Sequence, residues 1–295
     1  MITRKMGPAL AAGCSVVAKA PGETPLSSLA LAELANRAGI PKGVVNIVTA
    51  LDNTPAIGTE LCTNPIIKKI SFTGSTNVGK LLMQQCSSTL KKLSFELGGN
   101  APFIVFDDAD LDKAVAAAIT SKFRTSGQTC VCANRLYVQD GIYDTFAERL
   151  AGEVKSLRVG SGYAIGTTHG PLIHERAIGK VQGHVDDALG KGATVLVGGK
   201  SLGAIGPNFY EPTVITGMTK EMKIHSEETF GPIAALFRFT SEKEVVGLAN
   251  DSPVGLAGYF FSSDLSRIWR VAEALEGMAA HAPHLSACIF LMLAW

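Results

Sequence analysis

The alternation of short apolar runs with amphipathic segments restricts the fold of this 295-residue chain more than any other feature of its sequence. Residues 13–19 form a β-branched run that ends in a turn, and residues 26–38 place apolar side chains at helical spacing before a Gly-Ile-Pro stop. Residues 44–48 form a second apolar run, of the length of a buried strand. This order of strand, helix and strand predicts parallel strands joined by helical crossovers.

The same alternation continues up to residue 276. Further helices are predicted at 55–62, 76–87, 110–122, 142–156, 175–189, 241–249 and 264–276. Further strands are predicted at 66–72, 91–97, 102–106, 135–138, 193–197, 233–239 and 257–261. The predicted fold class is therefore α/β, with a parallel, doubly wound sheet and two domains joined near Gly98-Gly99, where two glycines allow a sharp change of direction.

Charge, hydropathy and cysteine usage exclude several classes of function. The formal net charge is +1 and charged residues make up 18% of the chain, so no basic surface for nucleic acid is expected. No apolar run reaches the roughly 20 residues that a membrane helix needs. A small molecule is the expected partner. Six cysteines, mostly scattered singly, indicate a reducing compartment, the cytoplasm or alternatively the mitochondrial matrix.

Two features of the first domain are typical of residues that bind a phosphate or a ribose. The segment from Thr73 to Lys80 follows a strand and opens a helix, whose unpaired N–H groups suit a pyrophosphate. Gly74 would let the backbone approach the ligand, and Gly79 would let the helix pack closely on the sheet. Without G-x-G-x-x-G spacing the segment equally fits a structural turn. Lys19 closes the first strand, where it could bond a ribose or stand solvated at a strand end.

Glu96 and Cys130 are the candidates for acid–base and nucleophilic chemistry. Glu96 lies between two apolar residues at the end of a predicted strand, partly desolvated as a general base requires, or else simply exposed. Cys130 follows the polar run 125–129, which is typical of a loop, although a buried inert cysteine is the structural alternative. A zinc site at Cys130 and Cys132 is disfavoured because no second cysteine pair and no neighbouring histidine support it.

In their order along the chain these features resemble the aldehyde dehydrogenase superfamily. Residues 95–100 (Phe-Glu-Leu-Gly-Gly-Asn) look like its glutamate motif, and residues 127–130 (Gly-Gln-Thr-Cys) look like its cysteine motif. Residues 227–232 (Glu-Glu-Thr-Phe-Gly-Pro) look like a third signature. The resemblance implies an aldehyde-dehydrogenase-like α/β fold, with a partial dinucleotide-binding domain of the Rossmann type at 1–98 and a catalytic domain at 99–276.

The resemblance also implies covalent oxidation of an aldehyde with NAD or NADP. Cys130 would attack the aldehyde, and its backbone N–H would donate to the oxyanion. Glu96 would activate the water that hydrolyses the thioester. No metal is implied. The residues implied to contact the cofactor are Lys19, Gly22, Gly74, Ser75, Thr76, Gly79, Glu228 and Phe230.

Residues 121–132 resemble most the succinate-semialdehyde dehydrogenase subfamily, whose reaction belongs to 4-aminobutyrate degradation. The likeness implies that Arg4 and Arg124 hold the substrate carboxylate in a bidentate fork. Another carboxylated aldehyde, such as glutarate semialdehyde, is the alternative, because two arginines select a carboxylate and not a chain length. Some members of that subfamily form a disulfide at the positions of Cys130 and Cys132, which implies a redox switch.

The chain departs from the family pattern in three places. The asparagine that supplies the second oxyanion donor would lie upstream of residue 1, so a truncated N-terminus is expected. Residues 277–295 bear no likeness to the glycine-rich segment and the oligomerisation strand of the homo-oligomeric full-length relatives, so an aberrant tail is expected. Gly22 stands where NAD-using relatives often carry an acid that repels a 2′-phosphate, so NAD and NADP stay open. A non-catalytic truncated chain is a further alternative.

Overall fold

The computed structural model describes residues 1–277, 279–281 and 291–292. The chain forms two compact units, Met1–Leu97 and Gly98–Trp295. Both units combine helices with parallel strands, which confirms the α/β fold class. The cofactor-binding role of 1–98 and the catalytic role of 99–276 stay predictions, and most of the expected tail, 277–295, lies outside the described residues. Over the part of the chain that is described, no helix has the length and apolar character that a membrane crossing demands.

The first unit is built of two strand–helix–strand pairs. Its helices are α1 (Thr3–Ala11), α2 (Leu26–Arg37), α3 (Thr54–Thr63) and α4 (Thr76–Cys86). Its strands are β1 (Val16–Lys19), β2 (Val45–Val48), β3 (Lys69–Thr73) and β4 (Lys92–Glu96). β1 pairs with β2 and β3 pairs with β4, both in parallel, as separate two-stranded sheets. Helix α2 ends where the sequence predicted, because Gly39 takes a left-handed conformation with φ 81°.

The second unit is organised around one large sheet. Its strands are β5 (Ala101–Val105), β6 (Ala133–Gln139), β7 (Thr194–Val197), β8 (Thr213–Met218), β9 (Ile233–Phe239), β10 (Ala257–Phe261), β11 (Ala279–His281) and β12 (Leu291–Met292). Its helices are α5 (Leu111–Phe123), α6 (Tyr143–Lys155), α7 (Glu175–Gly190), α8 (Lys223–Ser226), α9 (Glu242–Asn250) and α10 (Leu265–Ala274). Within the described residues the spatial order of the strands is β12-β11-β10-β5-β6-β9-β8-β7.

Apolar residues at alternate positions of the central strands form one core on each face of this sheet. Ile104 packs into a cluster with residues of α7, α9 and α10. Its neighbours Phe103 and Val105 pack instead with residues of α5 and α6. Since successive residues of a strand point to opposite faces, helices cover the sheet on both sides. This is the doubly wound arrangement that the sequence predicted.

The sequence-based prediction missed α1, β8, α8, β11 and β12, and it was wrong in expecting a wholly parallel sheet. Helix α1 contains Gly7 and Pro8, which are poor helix formers. Strand β8 contains Gly217, whose φ of 71° accompanies a shift of register with β9 and interrupts the strand pattern. Helix α8 has only 4 residues. The sheet is mixed and not wholly parallel, because β7 runs antiparallel to β8, to which it connects without an intervening helix.

Candidate active site

Cys130 lies in a tight turn between α5 and β6. The N–H of Cys132 donates to the carbonyl of Thr129 at 3.0 Å and closes the turn. The hydroxyl of Tyr259, on β10, donates to the carbonyl of Val131 at 2.7 Å. Cys130 itself is partly exposed. The turn therefore holds the cysteine in a defined place that small reagents can reach, as a nucleophile requires, and not inside a core.

Gly99 brings the Cys130 turn together with Glu228. The carbonyl oxygen of Cys130 occupies the space that a Cβ on residue 99 would need, so the approach demands glycine. The N–H of Gly99 donates to Glu228 Oε1 at 2.9 Å. Neither Gly98 nor Gly99 has a positive φ, so it is this close approach, and not a left-handed turn, that accounts for Gly99. The predicted nucleophile and the predicted ribose ligand thus contact the same glycine.

A buried lysine lies among these groups and was missed by the sequence-based prediction. Lys122 is wholly buried, and its Nζ donates to Asn134 Oδ1 at 2.9 Å. Burial lowers the pKa of Lys122 to about 8, although the charges of Cys132 and Glu228 act to raise it. Burial also raises the pKa of Glu228, against the N–H of Gly99 and the charge of Lys122. A lysine amine and a glutamate are therefore electrostatically linked beside the cysteine turn.

The sequence did contain a signal for Lys122. Ala114, Ala118 and Lys122 recur every four residues along α5 and lie on its buried face. A lysine on such a face is rarely buried unless it has partners, so this spacing marks it for attention. Cys132 Sγ lies 3.9 Å from the carbonyl of Lys122, inside the same buried group. The redox pairing of Cys132 with Cys130 stays a prediction.

The signature segment 227–232 is anchored to α7 by a histidine. His184 Nδ1 lies 2.6 Å from Thr229 Oγ1, and His184 Nε2 lies 3.1 Å from Glu227 Oε2. A carboxylate only accepts, so Nε2 carries the hydrogen and the hydroxyl of Thr229 donates to Nδ1. Burial lowers the pKa of His184, while the bond to Glu227 raises it. Within this segment Phe230 is 39% exposed.

Arg124 is exposed at the start of an unusual turn that leads to Cys130. Thr125 and Ser126 have φ values of 55° and 54°, and Gly127 follows with φ 75°. These are three successive left-handed residues, two of which carry a Cβ. The guanidinium of Arg124 is thus open to a carboxylate from solvent, and its role in binding a substrate stays a prediction.

In the first unit, Glu96 ends β4 opposite Thr73, its partner in the parallel ladder. Lys5 Nζ donates to Thr73 Oγ1 at 2.5 Å. Burial lowers the pKa of Lys5, whereas the charge of Glu96 raises it. The proposed base therefore lies at the carboxyl edge of a parallel pair of strands with an amine nearby. The sequence-based prediction did not single out Lys5, since no local pattern links residue 5 to residue 96.

The predicted phosphate turn lies between β3 and α4. Thr76 begins α4, and the side chain of Ser75 caps it by accepting an N–H bond at 3.4 Å. Gly74 and Ser75 are exposed, so the N-terminus of α4 is accessible to an anion. Gly79 is buried, and a Cβ there would lie 2.5 Å from Leu97 Cδ2. Gly79 thus permits the close packing of α4 that the sequence predicted, and its contact with a cofactor stays a prediction.

The remaining predicted residues of the first unit belong to other elements than the turn between β3 and α4. Lys19 ends β1, in the sheet that β1 forms with β2, and its Nζ lies 3.5 Å from Thr54 Oγ1. Gly22 is in the turn after β1, where a Cβ would lie 2.6 Å from Leu51 Cδ1. Arg4 is exposed on α1. Their roles toward cofactor and substrate stay predictions.

Comparison with known proteins shows that this chain is similar in sequence to semialdehyde dehydrogenases. The chain is 61% identical over 277 residues to succinate-semialdehyde dehydrogenase (NADP(+)) 1 of Schizosaccharomyces pombe, which covers 94% of this chain and 55% of the relative. It is 58% identical over 276 residues to glutarate-semialdehyde dehydrogenase of Pseudomonas putida, which covers 94% of this chain and 56% of the relative. The chain thus spans about half the length of the curated relatives it matches.

The fold has an equally close match among solved structures. Succinate-semialdehyde dehydrogenase from Burkholderia pseudomallei superposes with a TM-score of 0.93 at 58% identity, over 96% of this chain and 58% of that one. The family model described as "Aldehyde dehydrogenase family" matches residues 1–281, which ends inside the predicted tail. Since that match covers nearly the whole chain, this protein belongs to the aldehyde dehydrogenase family.

Proposed function

We propose that this chain takes part in the NAD(P)-dependent oxidation of succinate semialdehyde to succinate. The observation that carries the proposal is the meeting of the Cys130 turn and Glu228 at Gly99. A nucleophile and a ligand for the cofactor must lie this close if hydride is to leave a carbon bonded to the cysteine. The names of the relatives, one of which acts on succinate semialdehyde with NADP, support the same chemistry.

Cys130 is the proposed nucleophile. As a thiolate it attacks the aldehyde carbon and forms a carbon–sulfur bond, which turns the carbonyl oxygen into an oxyanion. The backbone N–H of Cys130 donates to that oxyanion. When the cofactor is bound, its nicotinamide supplies the acceptor for the hydride that leaves the same carbon. A thioester of Cys130 results.

Glu96 is the proposed general base of the second half-reaction. It takes a proton from a water molecule, whose oxygen attacks the thioester carbon. The carbon–sulfur bond breaks, succinate leaves, and Cys130 returns to its thiolate. Lys5 is a positioning residue in this proposal, because its charge and its bond to Thr73 act beside Glu96.

The cofactor is proposed to be NADP or NAD, and the residues fit such a dinucleotide. The accessible N-terminus of α4, with Gly74, Ser75 and Thr76, suits a pyrophosphate. Glu228, oriented by Gly99, suits ribose hydroxyls, and the exposed ring of Phe230 suits the nicotinamide. Lys19 is proposed for the adenosine ribose. An uncharged residue at 22 removes one source of repulsion against a 2′-phosphate, which favours NADP.

Arg4 and Arg124 are proposed to bind the substrate carboxylate. Both are exposed cations, and guanidinium pairs with carboxylate through two parallel hydrogen bonds. Glutarate semialdehyde is the second candidate substrate, supported by the name of the Pseudomonas putida relative. The proposed compartment is the cytoplasm, with the mitochondrial matrix as the alternative, because the buried thiols Cys62, Cys86 and Cys132 suit a reducing environment.

The test is an assay of reduced-nicotinamide formation by this chain with succinate semialdehyde and NADP. Butyraldehyde, which has the same number of carbons but no carboxylate, is the matched control substrate. We expect turnover on succinate semialdehyde, none with Cys130→Ala, and a slowing of steady turnover by about a hundredfold or more with Glu96→Gln. The Glu96→Gln protein should still release one equivalent of reduced cofactor in a first burst, since hydride loss precedes hydrolysis.

Two outcomes would contradict the proposal. Turnover that persists in Cys130→Ala would remove Cys130 as nucleophile. Absence of both a burst and turnover in a folded chain that binds NADP would favour the non-catalytic alternative. Comparing kcat/KM for succinate semialdehyde with kcat/KM for glutarate semialdehyde decides between the two substrates.

A further inference from the structure

We infer that residues 168–173, which we call the bracing segment, hold Arg124 in place, and that His169 is the positioning residue of this device. The inference deepens the proposed function, because it rests on Arg124 as the ligand of a substrate carboxylate. It assigns to His169 a part in selecting carboxylated substrates. His169 itself need not touch the substrate, since it acts through the backbone next to Arg124.

The first observation is the strain of the turn after Arg124. Thr125 and Ser126 take left-handed conformations, with φ values of 55° and 54°. Such conformations are unfavourable for residues with a Cβ, above all for a β-branched residue such as Thr125. They persist only where surrounding contacts determine them. The turn must therefore be held from outside.

The bracing segment supplies those contacts. His169 Nε2 lies 2.9 Å from the carbonyl oxygen of Phe123, just before Arg124. The hydroxyl of Ser126 donates to the carbonyl of Gly170 at 2.9 Å. The N–H of Ile173 donates to Gln128 Oε1, also at 2.9 Å. One short segment is thus hydrogen-bonded to the turn before, within and after its left-handed residues.

His169 is suited to hold a carbonyl with an uncharged donor. A carbonyl only accepts, so the hydrogen resides on Nε2. Nδ1 lies 2.8 Å from Thr168 Oγ1, whose one hydroxyl hydrogen has Nδ1 and the more distant Arg158 carbonyl, at 3.2 Å, as acceptors. His169 is 8% exposed, and its ring meets the ring of Phe123 edge-on with the centroids 6.4 Å apart. Burial lowers the pKa of His169, while its bond to the carbonyl of Phe123 raises it.

The Cys130 turn has its own separate supports. Its closing bond runs from Cys132 N–H to the Thr129 carbonyl, and Tyr259 holds the carbonyl of Val131. None of these bonds involves the bracing segment. Loss of the His169 bond should therefore move Arg124 while the reactivity of the Cys130 thiol changes little. The preference of the site for a carboxylate can therefore be measured separately from the intrinsic reactivity of the Cys130 thiol.

Iodoacetate and iodoacetamide measure the two quantities on the full chain without cofactor or turnover. In both reactions the thiolate displaces iodide and forms a carbon–sulfur bond, but only iodoacetate presents a carboxylate to Arg124. Peptide mapping by mass spectrometry gives the rate of each reaction at Cys130. For each cysteine we take the ratio of the iodoacetate rate to the iodoacetamide rate. Dividing the ratio at Cys130 by the ratio at the exposed Cys14 gives a normalised ratio, which measures how much a cation near Cys130 accelerates the reaction with a carboxylate reagent.

Three variants give the expected pattern. Arg124→Met should lower the normalised ratio by about tenfold, as loss of one charge-assisted contact predicts. His169→Leu, which keeps the apolar bulk but has no donor, should lower it by about threefold. His169→Gln, whose amide can donate to the carbonyl of Phe123, should restore most of the ratio. The iodoacetamide rate at Cys130 should stay within about twofold of wild type in both His169 variants.

Each outcome then has a definite reading. A ratio unchanged in Arg124→Met would contradict carboxylate binding by Arg124, and with it the substrate part of the proposed function. A ratio that falls in Arg124→Met but not in His169→Leu would overturn the bracing role alone. Equal falls in His169→Leu and His169→Gln would also overturn it, because a donor would then have no effect. If His169→Leu does not fold by circular dichroism, Ser126→Ala takes its place with the same expected direction.

Discussion

Lys122 illustrates at the scale of one residue how a buried charge shapes the unit that carries Cys130. Its amine is wholly buried and donates to the neutral amide oxygen of Asn134. Burial opposes the charged form, so the pKa of Lys122 falls to about 8 from 10.5. The nearby Cys132 and Glu228 partly offset that cost. The residue is thus a destabilising charge inside the unit.

The lowered pKa of Lys122 predicts a specific dependence of stability on pH. Between about 8 and 10.5 the unfolded chain binds a proton that the folded chain does not, so the free energy of unfolding rises with pH. The penalty is complete below about 8 and absent above 10.5. Lys122→Met removes this penalty. Between about pH 7 and pH 10 the free energy of unfolding of the variant should therefore rise less than that of wild type, by on the order of 2 kcal/mol.

Urea unfolding of both proteins at the two pH values measures this difference. Lys113→Met, an exposed position on the same helix α5, is the matched control and should keep the slope of wild type. Parallel pH profiles for wild type and Lys122→Met would show that the amine is not titrating in this range.

At the scale of elements, a single carboxylate joins the end of β5 to the start of α10. Asp108 Oδ2 accepts from the hydroxyl of Ser262 at 2.8 Å and from the N–H groups of Ser263 and Asp264, each at 2.9 Å. Asp108 Oδ1 accepts from Arg267 Nη1 at 2.7 Å. Burial acts to raise the pKa of Asp108, but these donors hold it below its usual value. The carboxylate therefore fixes where α10 begins relative to the sheet.

Replacement of Asp108 by asparagine keeps the shape and removes the charge. We expect Asp108→Asn to lower the free energy of unfolding near pH 7 by about 1–3 kcal/mol, because four donors, of which Ser262 is buried, lose a charged acceptor. The depressed pKa adds stability that is present above the ordinary value of 3.8 and is lost as pH falls through the lower folded value. Wild type should therefore lose more stability on acidification than the variant.

Urea midpoints from neutral to acidic pH test this prediction. Asp112→Asn is the control, since the carboxylate of Asp112 is exposed and pairs with Arg149 at the surface, where ion pairs contribute little. An Asp108→Asn protein as stable as the control at neutral pH would contradict the anchoring role.

At the scale of the whole molecule, the two units differ in how their strands are buried. Every residue of β5 is buried, and β6 and β9 are buried along nearly their whole length in the centre of a large sheet. In β1, β3 and β4, which lie in two-stranded sheets, every residue is exposed or partly buried and none is fully buried. Backbone hydrogen bonds in small exposed sheets open more easily than those inside a packed core.

Hydrogen exchange followed by mass spectrometry should resolve this difference. Peptides from β5, β6 and β9 are expected to exchange about a hundredfold more slowly than peptides from β1 and β3, since a difference of about 3 kcal/mol in opening free energy gives that ratio. A peptide with the fully exposed Tyr163 and Ile165 provides the unprotected reference. Equal protection of the two groups of strands would contradict the prediction.

The sequence by itself determined the features that depend on neighbours along the chain. Apart from β8 and α8, the strands and helices from β1 to α10 were predicted within a few residues of their observed ends, because apolar periodicity and turn residues act locally. The motifs around Glu96, Cys130 and Glu228 were sufficient to predict the family that the comparisons confirm. The sequence-based prediction missed α1 and β8 for a local reason. Glycine and proline weaken the sequence pattern of these two elements, although tertiary packing still forms them.

Only the tertiary structure decided which distant residues meet. No local pattern links Gly99 to the carbonyl of Cys130, Lys122 to Glu228, or His169 to the carbonyl of Phe123. The direction of β7 likewise follows from how its connection returns to β8. Burial, close approach and hydrogen bonding between residues far apart in sequence arise only once the helices pack on the sheet. For Cys130, the sequence predicted the nucleophile, and the fold supplied the turn that holds it and the close approach of Gly99.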